Sequence, residues 1–371
     1  MSLPKRVLLL ARELHAGGSE RQLAETAKAL HTMGWVVHVG CFHDNGIRAD
    51  ELRATGIPVV RFPVHSFLSG SSIRGVAAFR NYIRQHDITL THSFDTPLTL
   101  FGTIAARLSA RPVILSSQRS YRALFKRSEQ RLLRLTDRMV DGVVVNCDAI
   151  RKHMIADEGV PAARVHLCYN GIDTDTFFPA PGPRPAALSG ATAVITSVAQ
   201  LRPEKGLPTL VRAFASVCRD RPGVRLVLVG SGALRQHLED LARSLNVATD
   251  VHFEPATHDV KGWLNASDIF VLPSLSEALS NALMEAMACG VAPIASLVGG
   301  SPELVREGET GLLFPPGDAE ALAVQIRRLV DDEALRRRFA DASASFIRSE
   351  MTITKAASRM AEIYSHHLSA R

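Results

Sequence analysis

Paired and clustered cysteines are missing from this sequence. Its five cysteines are scattered and odd in number, and none forms a Cys-x-x-Cys or Cys/His motif. A disulfide framework is therefore excluded and a zinc site is not expected, a pattern that suits the reducing cytoplasm. No stretch approaches 18 apolar residues, and the apolar run near the start is too short for a signal peptide. We expect a cytoplasmic chain without a membrane span.

Two further shortages narrow the function classes. Aromatic residues make up only 6% of the chain, and without an aromatic-rich basic groove nucleic acid is not expected as a partner. Neither half carries Gly-x-Gly-x-x-Gly after its first predicted strand, which disfavours a nicotinamide dehydrogenase. What is present is 371 residues with 46% apolar and 22% charged side chains, a composition typical of two ordinary soluble domains.

Positive charge is concentrated in the first half. Residues 1–180 hold 23 Lys and Arg against 16 Asp and Glu, whereas the net charge of the whole chain is +6. The densest part is 119–138, where leucines recur among the arginines at near-helical spacing. A basic amphipathic helix suits an anionic membrane surface, and a solvated helix face is the other interpretation.

Short apolar runs alternate with helical patterns in both halves, which indicates an α/β fold with two doubly wound parallel sheets. Four prolines interrupt this alternation within 178–189. We therefore expect a Rossmann-like domain over 1–177, a linker over 178–192 and a second such domain over 193–371, with the last helix packed back on the first domain. Such an arrangement places a cleft between the domains.

The loops after the strands are the expected binding regions, because ligands of open α/β sheets bind beyond the carboxyl ends of the strands. In the first loop, Gly17 and Gly18 precede a helix whose N-terminus suits an anion, and Ser19 with Gln22 predicts a capping box. A glycine pair before a helix is also compatible with a plain turn. In the second loop, Arg202 and Lys205 could neutralise a diphosphate or form a solvated charged turn.

The third loop, Ser274–Gly290, contains two carboxylates seven residues apart. Ser280 or Asn281 is expected to cap the following helix and Gly290 to end it. Glu277 lies in the loop, whereas Glu285 lies among apolar neighbours inside the helix. A buried carboxylate needs a partner, so we expect these acids to bind hydroxyl groups of a ribose and of a sugar.

These motifs resemble the retaining glycosyltransferases of the GT-B fold, of family 4 type, nearly from end to end. The most specific segment is 276–318, with a Glu-x7-Glu pair followed by a Gly-Gly-x-Pro-Glu element. The other matching segments are GGSERQ at 17–22, VVVNCDAI at 143–150, YNGIDTDTFFP at 169–179, SVAQLRPEKG at 197–206 and VGSG at 229–232.

The resemblance implies a role for each candidate residue. Lys205 and a nearby arginine, Arg202, would hold the diphosphate of a nucleotide sugar, and Glu285 its ribose. Glu277, the catalytic candidate of unit 2, would contact the hydroxyl groups of the donor sugar and position it rather than act as a nucleophile. The distal phosphate would contact amides around Leu279, Ser280 and Asn281, together with Gly17 and Gly18. The resemblance also implies retention of the anomeric configuration, with the departing phosphate taking the proton of the acceptor.

The sequence departs from the family pattern at several positions. Gln200 replaces the usual arginine five residues before the lysine, so Arg202 is the substitute considered. His92 matches a family histidine, and both a catalytic and a packed role are considered for it. Gln118 or Arg119 stands where a second histidine is frequent. The Asp173-Thr174-Asp175 triplet is expected to cap a turn rather than bind a metal, and no metal or other cofactor is predicted.

The resulting hypothesis is a glycosyltransferase that moves a sugar from a nucleotide diphosphate to a lipid-linked or saccharide acceptor. Its product would belong to cell-surface polysaccharide or glycolipid biosynthesis, and the basic segment would bring it to the inner face of the membrane. The alternatives are a nucleotide-sugar epimerase of the same fold and a noncatalytic, membrane-associated nucleotide-sugar-binding protein.

Overall fold

The computed structural model describes residues 5–15, 17–65, 70–109, 112–180 and 182–370. The chain divides into two compact units. Unit 1 comprises Met1–Gly171 and Ile353–Arg371, and unit 2 comprises Ile172–Thr352. The segment 178–192, expected as a linker, lies inside unit 2, where Leu188 is fully buried. The change of unit falls earlier, between Gly171 and Ile172.

Unit 1 is built on a seven-stranded parallel sheet with the strand order β3-β2-β1-β4-β5-β6-β7. Its strands are β1 (Arg6–Leu10), β2 (Val36–Cys41), β3 (Val59–Arg61), β4 (Leu90–Ser93), β5 (Val113–Gln118), β6 (Gly142–Val145) and β7 (Val165–Leu167). Strands such as β4 and β6 are buried at every position, because helices cover both faces of a doubly wound sheet. This is the alternation that the sequence predicted.

Unit 2 repeats the architecture with six parallel strands in the order β10-β9-β8-β11-β12-β13. Its strands are β8 (Ala193–Val198), β9 (Val224–Val229), β10 (Val251–Glu254), β11 (Ile269–Leu272), β12 (Ala292–Ser296) and β13 (Leu312–Phe314). In both units the first and fourth strands pair, so the order of the strands reverses between them. A ligand of such a sheet binds at this switch point.

Helices follow nearly every strand. Those of unit 1 are α1 (Gly18–Thr32), α2 (Ile47–Ala54), α3 (Gly70–Gln85), α4 (Thr96–Arg107), α5 (Arg127–Met139), α6 (Asp148–Ala156) and α14 (Ile353–Ser369). Those of unit 2 are α7 (Leu207–Asp220), α8 (Arg235–Ser244), α9 (Val260–Asn265), α10 (Asn281–Ala288), α11 (Ser301–Leu304), α12 (Ala319–Asp331) and α13 (Glu333–Glu350). No helix among the described residues is both long and apolar enough to cross a bilayer.

The start of α1 differs from its prediction. Gly17 occupies the N-cap position with no side-chain cap, so the capping box expected from Ser19 and Gln22 is wrong. The Gln22 side chain instead donates to the Gly171 carbonyl at 2.9 Å and accepts from the Gly171 N–H at 3.2 Å. These reciprocal bonds tie the loop after β7 to the first turns of α1. At the other end of α1, Gly34 follows the C-cap Met33 with a left-handed backbone, φ +84°.

Candidate functional site

Two loops meet at the switch point of unit 2. The loop after β8 forms a short 3-10 helix, Pro203–Lys205, and the loop after β11 contains Glu277. Lys205 Nζ donates to Glu277 Oε2 at 2.8 Å, and Ser274 Oγ donates to the same oxygen at 3.2 Å. The structure therefore brings together the cation and the carboxylate that sequence analysis singled out, although 72 residues separate them.

Close backbone packing holds these loops together. Gly206 has a left-handed backbone, φ +62°, and a Cβ there would lie 2.0 Å from the Pro273 carbonyl oxygen. A side chain at Gly299 (φ +52°) would meet the Glu277 carbonyl oxygen at 1.9 Å. The Leu275 N–H also donates to the Glu204 carbonyl at 2.8 Å. Only glycine permits these approaches, so the positions of Lys205 and Glu277 are set by the backbone.

The helix after Glu277 begins as predicted. Ser280 is the N-cap of α10, and its side chain accepts from the Leu283 N–H at 3.3 Å. Leu279 and Ser280 are buried, and Asn281 is the first residue of the helix. Glu285 lies inside the helix and is only 4% exposed. A buried carboxylate beside a helix N-terminus provides acceptors next to a region that favours anions.

The remaining cation of the second loop is not engaged. Arg202 is exposed, and no ion pair joins it to a carboxylate in the described part of the chain. Gln200, which stands where the family has arginine, is exposed on the same loop. Arg202 is thus accessible to an anion near Lys205. A residue that replaces the family arginine at position 200 would need this accessibility.

His92 lies in β4 and is completely buried in unit 1. Its Nδ1 is 2.6 Å from Tyr364 Oη on α14, and its Nε2 is 2.9 Å from Ser117 Oγ. Burial, together with the nearby Arg119 charge, lowers the pKa of His92 well below its ordinary value. With both ring nitrogens occupied and no exposed surface, His92 has the geometry of a packed histidine. This geometry favours the packed interpretation of His92 over the catalytic one.

Two residues beside His92 complete this edge of unit 1. Arg119 follows β5 and donates from Nη1 to Asn170 Oδ1 at 2.8 Å. The residues at 118 and 119 depart from the family pattern, but no local sequence signal pairs Arg119 with Asn170, which is 51 residues away. Gln118 is buried and structural, since its amide donates to the Ser120 carbonyl at 2.6 Å and accepts from Arg122 at 3.1 Å.

The switch point of unit 1 carries acids beside the glycine pair. Gly17 and Gly18 lie at the start of α1, and a Cβ at Gly17 would clash with the Glu20 carboxylate. Asp95, just after β4, caps α4 and accepts from the backbone N–H groups of Leu98 and Arg12. Burial raises the pKa of Asp95 to about 6 despite these bonds, with a further contribution from Glu20. Burial also raises the pKa of Glu20.

The basic segment 119–138 is only partly a surface. Arg122 is buried and forms a bidentate pair with Asp137 at 2.7 and 2.9 Å. The exposed part lies on and before α5, where leucines stand among the arginines. Its exposed apolar residues are Leu124, Leu132 and Leu135, and its exposed basic residues are Lys126, Arg127, Arg131, Arg134 and Arg138. We call these eight residues the α5 surface.

The aspartate triplet caps a turn, as predicted. Asp173 Oδ1 accepts from the Asp175 N–H at 3.0 Å and from the Thr176 N–H at 3.2 Å. Within the described ranges, no group of three or more His, Cys, Asp and Glu residues is arranged to hold a metal ion.

Comparison with known families gives matches in both units. Residues 16–176 match the family model described as Glycosyltransferase Family 4, and residues 184–346 match that described as Glycosyl transferases group 1. Together the two matches span most of the chain and include Gly17, Lys205, Glu277 and Glu285.

Curated relatives and solved structures agree with these matches. The chain is 30% identical to the GDP-mannose-dependent alpha-(1-6)-phosphatidylinositol monomannoside mannosyltransferase of Mycobacterium tuberculosis, over 76% of this chain and 77% of that protein. It is 36% identical to the lipopolysaccharide core biosynthesis glycosyltransferase LpsE of Rhizobium meliloti, over 40% and 42% of the two chains. The structure of Anabaena Alr3699/HepE in complex with UDP and glucose superposes with a TM-score of 0.85, at 24% identity over 97% and 99% of the chains.

Proposed function

We propose that this chain, which belongs to the family 4 glycosyltransferases of the GT-B fold, transfers a sugar from a nucleotide diphosphate to a lipid-linked or saccharide acceptor with retention of configuration. Its product would enter cell-surface polysaccharide or glycolipid biosynthesis. Named relatives act on a phosphatidylinositol mannoside and in lipopolysaccharide core biosynthesis, which supports a membrane-linked acceptor. The family assignment favours this proposal over the epimerase and over a noncatalytic binding protein.

The observation that carries the proposal is the contact between Lys205 and Glu277 at the switch point of unit 2. A cation and a carboxylate held at this edge of a parallel sheet can bind the two chemically different ends of a sugar diphosphate. Lys205 and the exposed Arg202 provide positive charge for the phosphates. Glu277 provides acceptors for sugar hydroxyl groups. The structure of a neighbour with UDP and glucose supports such a donor.

The other residues of unit 2 supply the nucleotide contacts. Glu285 is proposed to accept hydrogen bonds from the ribose hydroxyls, as acidic residues do in other nucleotide folds. The N-terminal turn of α10, with Leu279, Ser280 and Asn281, provides backbone N–H groups for the distal phosphate. Gly17 and Gly18 at the start of α1 are proposed as the corresponding amides of unit 1.

The chemistry follows from this placement of charge. As the bond between the anomeric carbon and the phosphate oxygen breaks, negative charge grows on the diphosphate, where Lys205, Arg202 and helix amides stabilise it. The acceptor hydroxyl attacks the same face of the sugar, and its proton passes to the departing phosphate oxygen. Glu277 orients the sugar and stabilises the positive charge that develops on it. We propose no resident metal or cofactor, since the side-chain cations already provide the charge that the phosphates need.

The α5 surface suits an acceptor that is embedded in a membrane. Exposed leucines beside five exposed basic side chains can insert into the headgroup region while the charges attract anionic lipid. We therefore propose peripheral association with the inner face of the cytoplasmic membrane, without a requirement for nucleic acid.

The direct test is transfer itself. The protein is incubated with a panel of nucleotide sugars, with and without membrane extract, and free nucleoside diphosphate and the new glycosidic linkage are measured. We expect release of nucleoside diphosphate only when acceptor is present, and a product with the anomeric configuration of the donor. Isomerised donor without acceptor would support the epimerase, and tight donor binding without turnover would support the binding protein.

A further inference from the structure

Arg119 is a partly buried cation that forms no ion pair with a carboxylate of the described residues, and Glu20 acts on it only at longer range. Its Nη1 binds the neutral amide oxygen of Asn170 at 2.8 Å, and its guanidinium carbon lies 4.8 Å from the centre of the Phe94 ring. Its Nε is inaccessible to solvent and has no hydrogen-bond partner in the described parts of the chain. Likewise, no carboxylate of the described residues forms an ion pair with it. Burial lowers the pKa of Arg119 to about 10, still far above neutrality, so the side chain remains charged.

Arg122, only three residues further, shows how this chain normally compensates a buried guanidinium. Asp137 binds Arg122 with both carboxylate oxygens, and Glu158 lies 3.3 Å away. Removing a cation from water without such a partner costs free energy. The neutral partner at Arg119 therefore leaves a charge that an external anion can satisfy.

Arg119 and its partner Asn170 lie at the carboxyl edge of the unit 1 sheet, where ligands of such sheets bind. Arg119 follows β5, which pairs with β4 and β6, and Asn170 follows β7 at the same carboxyl edge. The reciprocal bonds between Gln22 and Gly171 connect the Asn170 loop to the start of α1. Asn170 thus holds the guanidinium in place on a loop that is itself fixed. Arg119 as a residue is only partly buried, so a ligand can approach it.

We propose that Arg119 binds a phosphate-type oxyanion of one of the substrates and positions it at the carboxyl edge of the unit 1 sheet. Guanidinium groups bind such oxygens in a bidentate manner. Binding of the anion depends only on unit 1, whereas its use in sugar transfer rests on the proposed function. The oxyanion comes either from the donor diphosphate or from a phosphate of the acceptor.

The first experiment measures binding of inorganic pyrophosphate to the full-length protein by calorimetry, in a Lys205→Ala background that removes one of the two cations proposed for the phosphates in unit 2. Arg119→Gln removes the positive charge, and Asn170→Asp places a carboxylate beside Arg119 that can pair with it. Each is expected to weaken pyrophosphate binding about tenfold or more, the size of one charge-assisted hydrogen bond. Arg80→Gln, which removes an exposed arginine of α3, is the matched control and should leave the affinity unchanged.

Asn170→Asp separates binding from structure. Because it pairs Arg119 with a carboxylate, it should preserve or raise the melting temperature while it weakens pyrophosphate binding. If Arg119 only supports the fold, Asn170→Asp will leave the affinity unchanged, and that result overturns the proposal. Absence of pyrophosphate binding by the folded Lys205→Ala protein overturns it as well.

The second experiment identifies the source of the oxyanion. The dissociation constants of UDP and GDP and the KM of the acceptor are compared between the wild type and Arg119→Gln. A loss confined to the nucleotides assigns Arg119 to the donor, and a loss confined to the acceptor KM assigns it to the acceptor. If the wild type transfers no sugar, the proposed function fails, but the pyrophosphate titration still tests Arg119.

Discussion

Lys205 Nζ lies 2.8 Å from Glu277 Oε2, so the cation assigned to the phosphates is already paired with the carboxylate assigned to the sugar. A diphosphate that enters this site must compete with Glu277 for Lys205. The pair therefore fixes both side chains before substrate arrives, at the cost of some phosphate affinity.

Because of this competition, substitutions of Lys205 and of Glu277 should have different effects on nucleotide affinity. Lys205→Ala should weaken binding of UDP and GDP about tenfold or more, because it removes a charged contact to phosphate. Glu277→Gln should bind the same nucleotides as tightly as the wild type or more tightly, because Lys205 is released, while turnover falls about a hundredfold. Calorimetry and steady-state kinetics measure the two effects.

Arg212→Ala is the matched control, since Arg212 is an exposed arginine of α7, outside the loops that carry Lys205 and Glu277. Weaker nucleotide binding in Glu277→Gln, equal to that in Lys205→Ala, would contradict the competition.

The buried contact between His92 and Tyr364 predicts a stability effect. Tyr364→Phe removes the hydroxyl that lies 2.6 Å from Nδ1 and leaves a buried nitrogen without its partner. This should lower the free energy of unfolding by about 1–2 kcal/mol. His92→Gln should also lower the melting temperature, whereas His43→Gln, at an exposed histidine, should not.

Activity distinguishes packing from catalysis at this position. Measured well below the unfolding transition, both variants should keep turnover within about tenfold of the wild type, since ring nitrogens that are already bonded cannot contact substrate. A hundredfold loss of turnover in His92→Gln with an unchanged melting temperature would restore the catalytic interpretation.

Asp95 predicts a pH dependence of stability. Its pKa rises from 3.8 to about 6 in the folded chain, so between these values the folded state holds a proton that the unfolded state has released. Stability that depends on Asp95 is therefore complete below about pH 4 and is lost as the pH rises to about 6. Over this pH window, the free energy of unfolding of the wild type should fall by about 1–2 kcal/mol relative to that of Asp95→Asn.

Urea unfolding of both proteins from pH 4 to pH 7 measures this difference. A pH-independent offset is expected, because an amide cannot accept from both the Arg12 and Leu98 N–H groups. The prediction is therefore tested by how the difference in unfolding free energy between the two proteins changes with pH. A difference that stays constant from pH 4 to pH 7 would contradict it.

The α5 surface predicts binding to anionic membranes. Arg127, Arg131 and Arg138 are exposed, and each neutralisation to Gln should weaken binding to phosphatidylserine vesicles by about 1 kcal/mol at low salt. Leu132→Gln with Leu135→Gln should weaken it further by removing the inserted apolar groups.

Leu108→Gln is the control for the leucines, since Leu108 is similarly exposed at 55% on the end of another helix of unit 1. Vesicle sedimentation measures binding. Equal binding of the wild type to neutral and anionic vesicles would show that charge does not drive the association.

Local sequence patterns were sufficient for the architecture. Short continuous apolar runs predicted buried parallel strands, and β11 is buried at every position. Ser280 and Gly290 correctly marked the ends of α10, because capping depends on residues next to the helix. The Glu277 loop was found for the same reason, since its motif lies within one strand–loop–helix segment.

Local sequence patterns do not predict contacts between segments that are distant in the chain. Gln22 matches a capping box locally, but its tertiary partner Gly171 lies 149 residues away and takes its side chain. His92 becomes a packed residue only through Tyr364, 272 residues further along the chain. The charge pattern of 119–138 predicts one basic surface, yet Arg122 within it is buried and paired with Asp137 and Glu158. Charge patterns in sequence do not show which cations acquire internal partners.

The return of α14 to unit 1 has a consequence for the order in which the protein folds during synthesis. Met360, Ile363 and Tyr364 share a core with residues of β1 and β2, so the N-terminal half stays unfinished until residues 353–371 have left the ribosome. Unit 2, in contrast, is continuous from Ile172 to Thr352 and can close as soon as it emerges. The half that is translated second is therefore the first to complete its core, the reverse of the usual vectorial order.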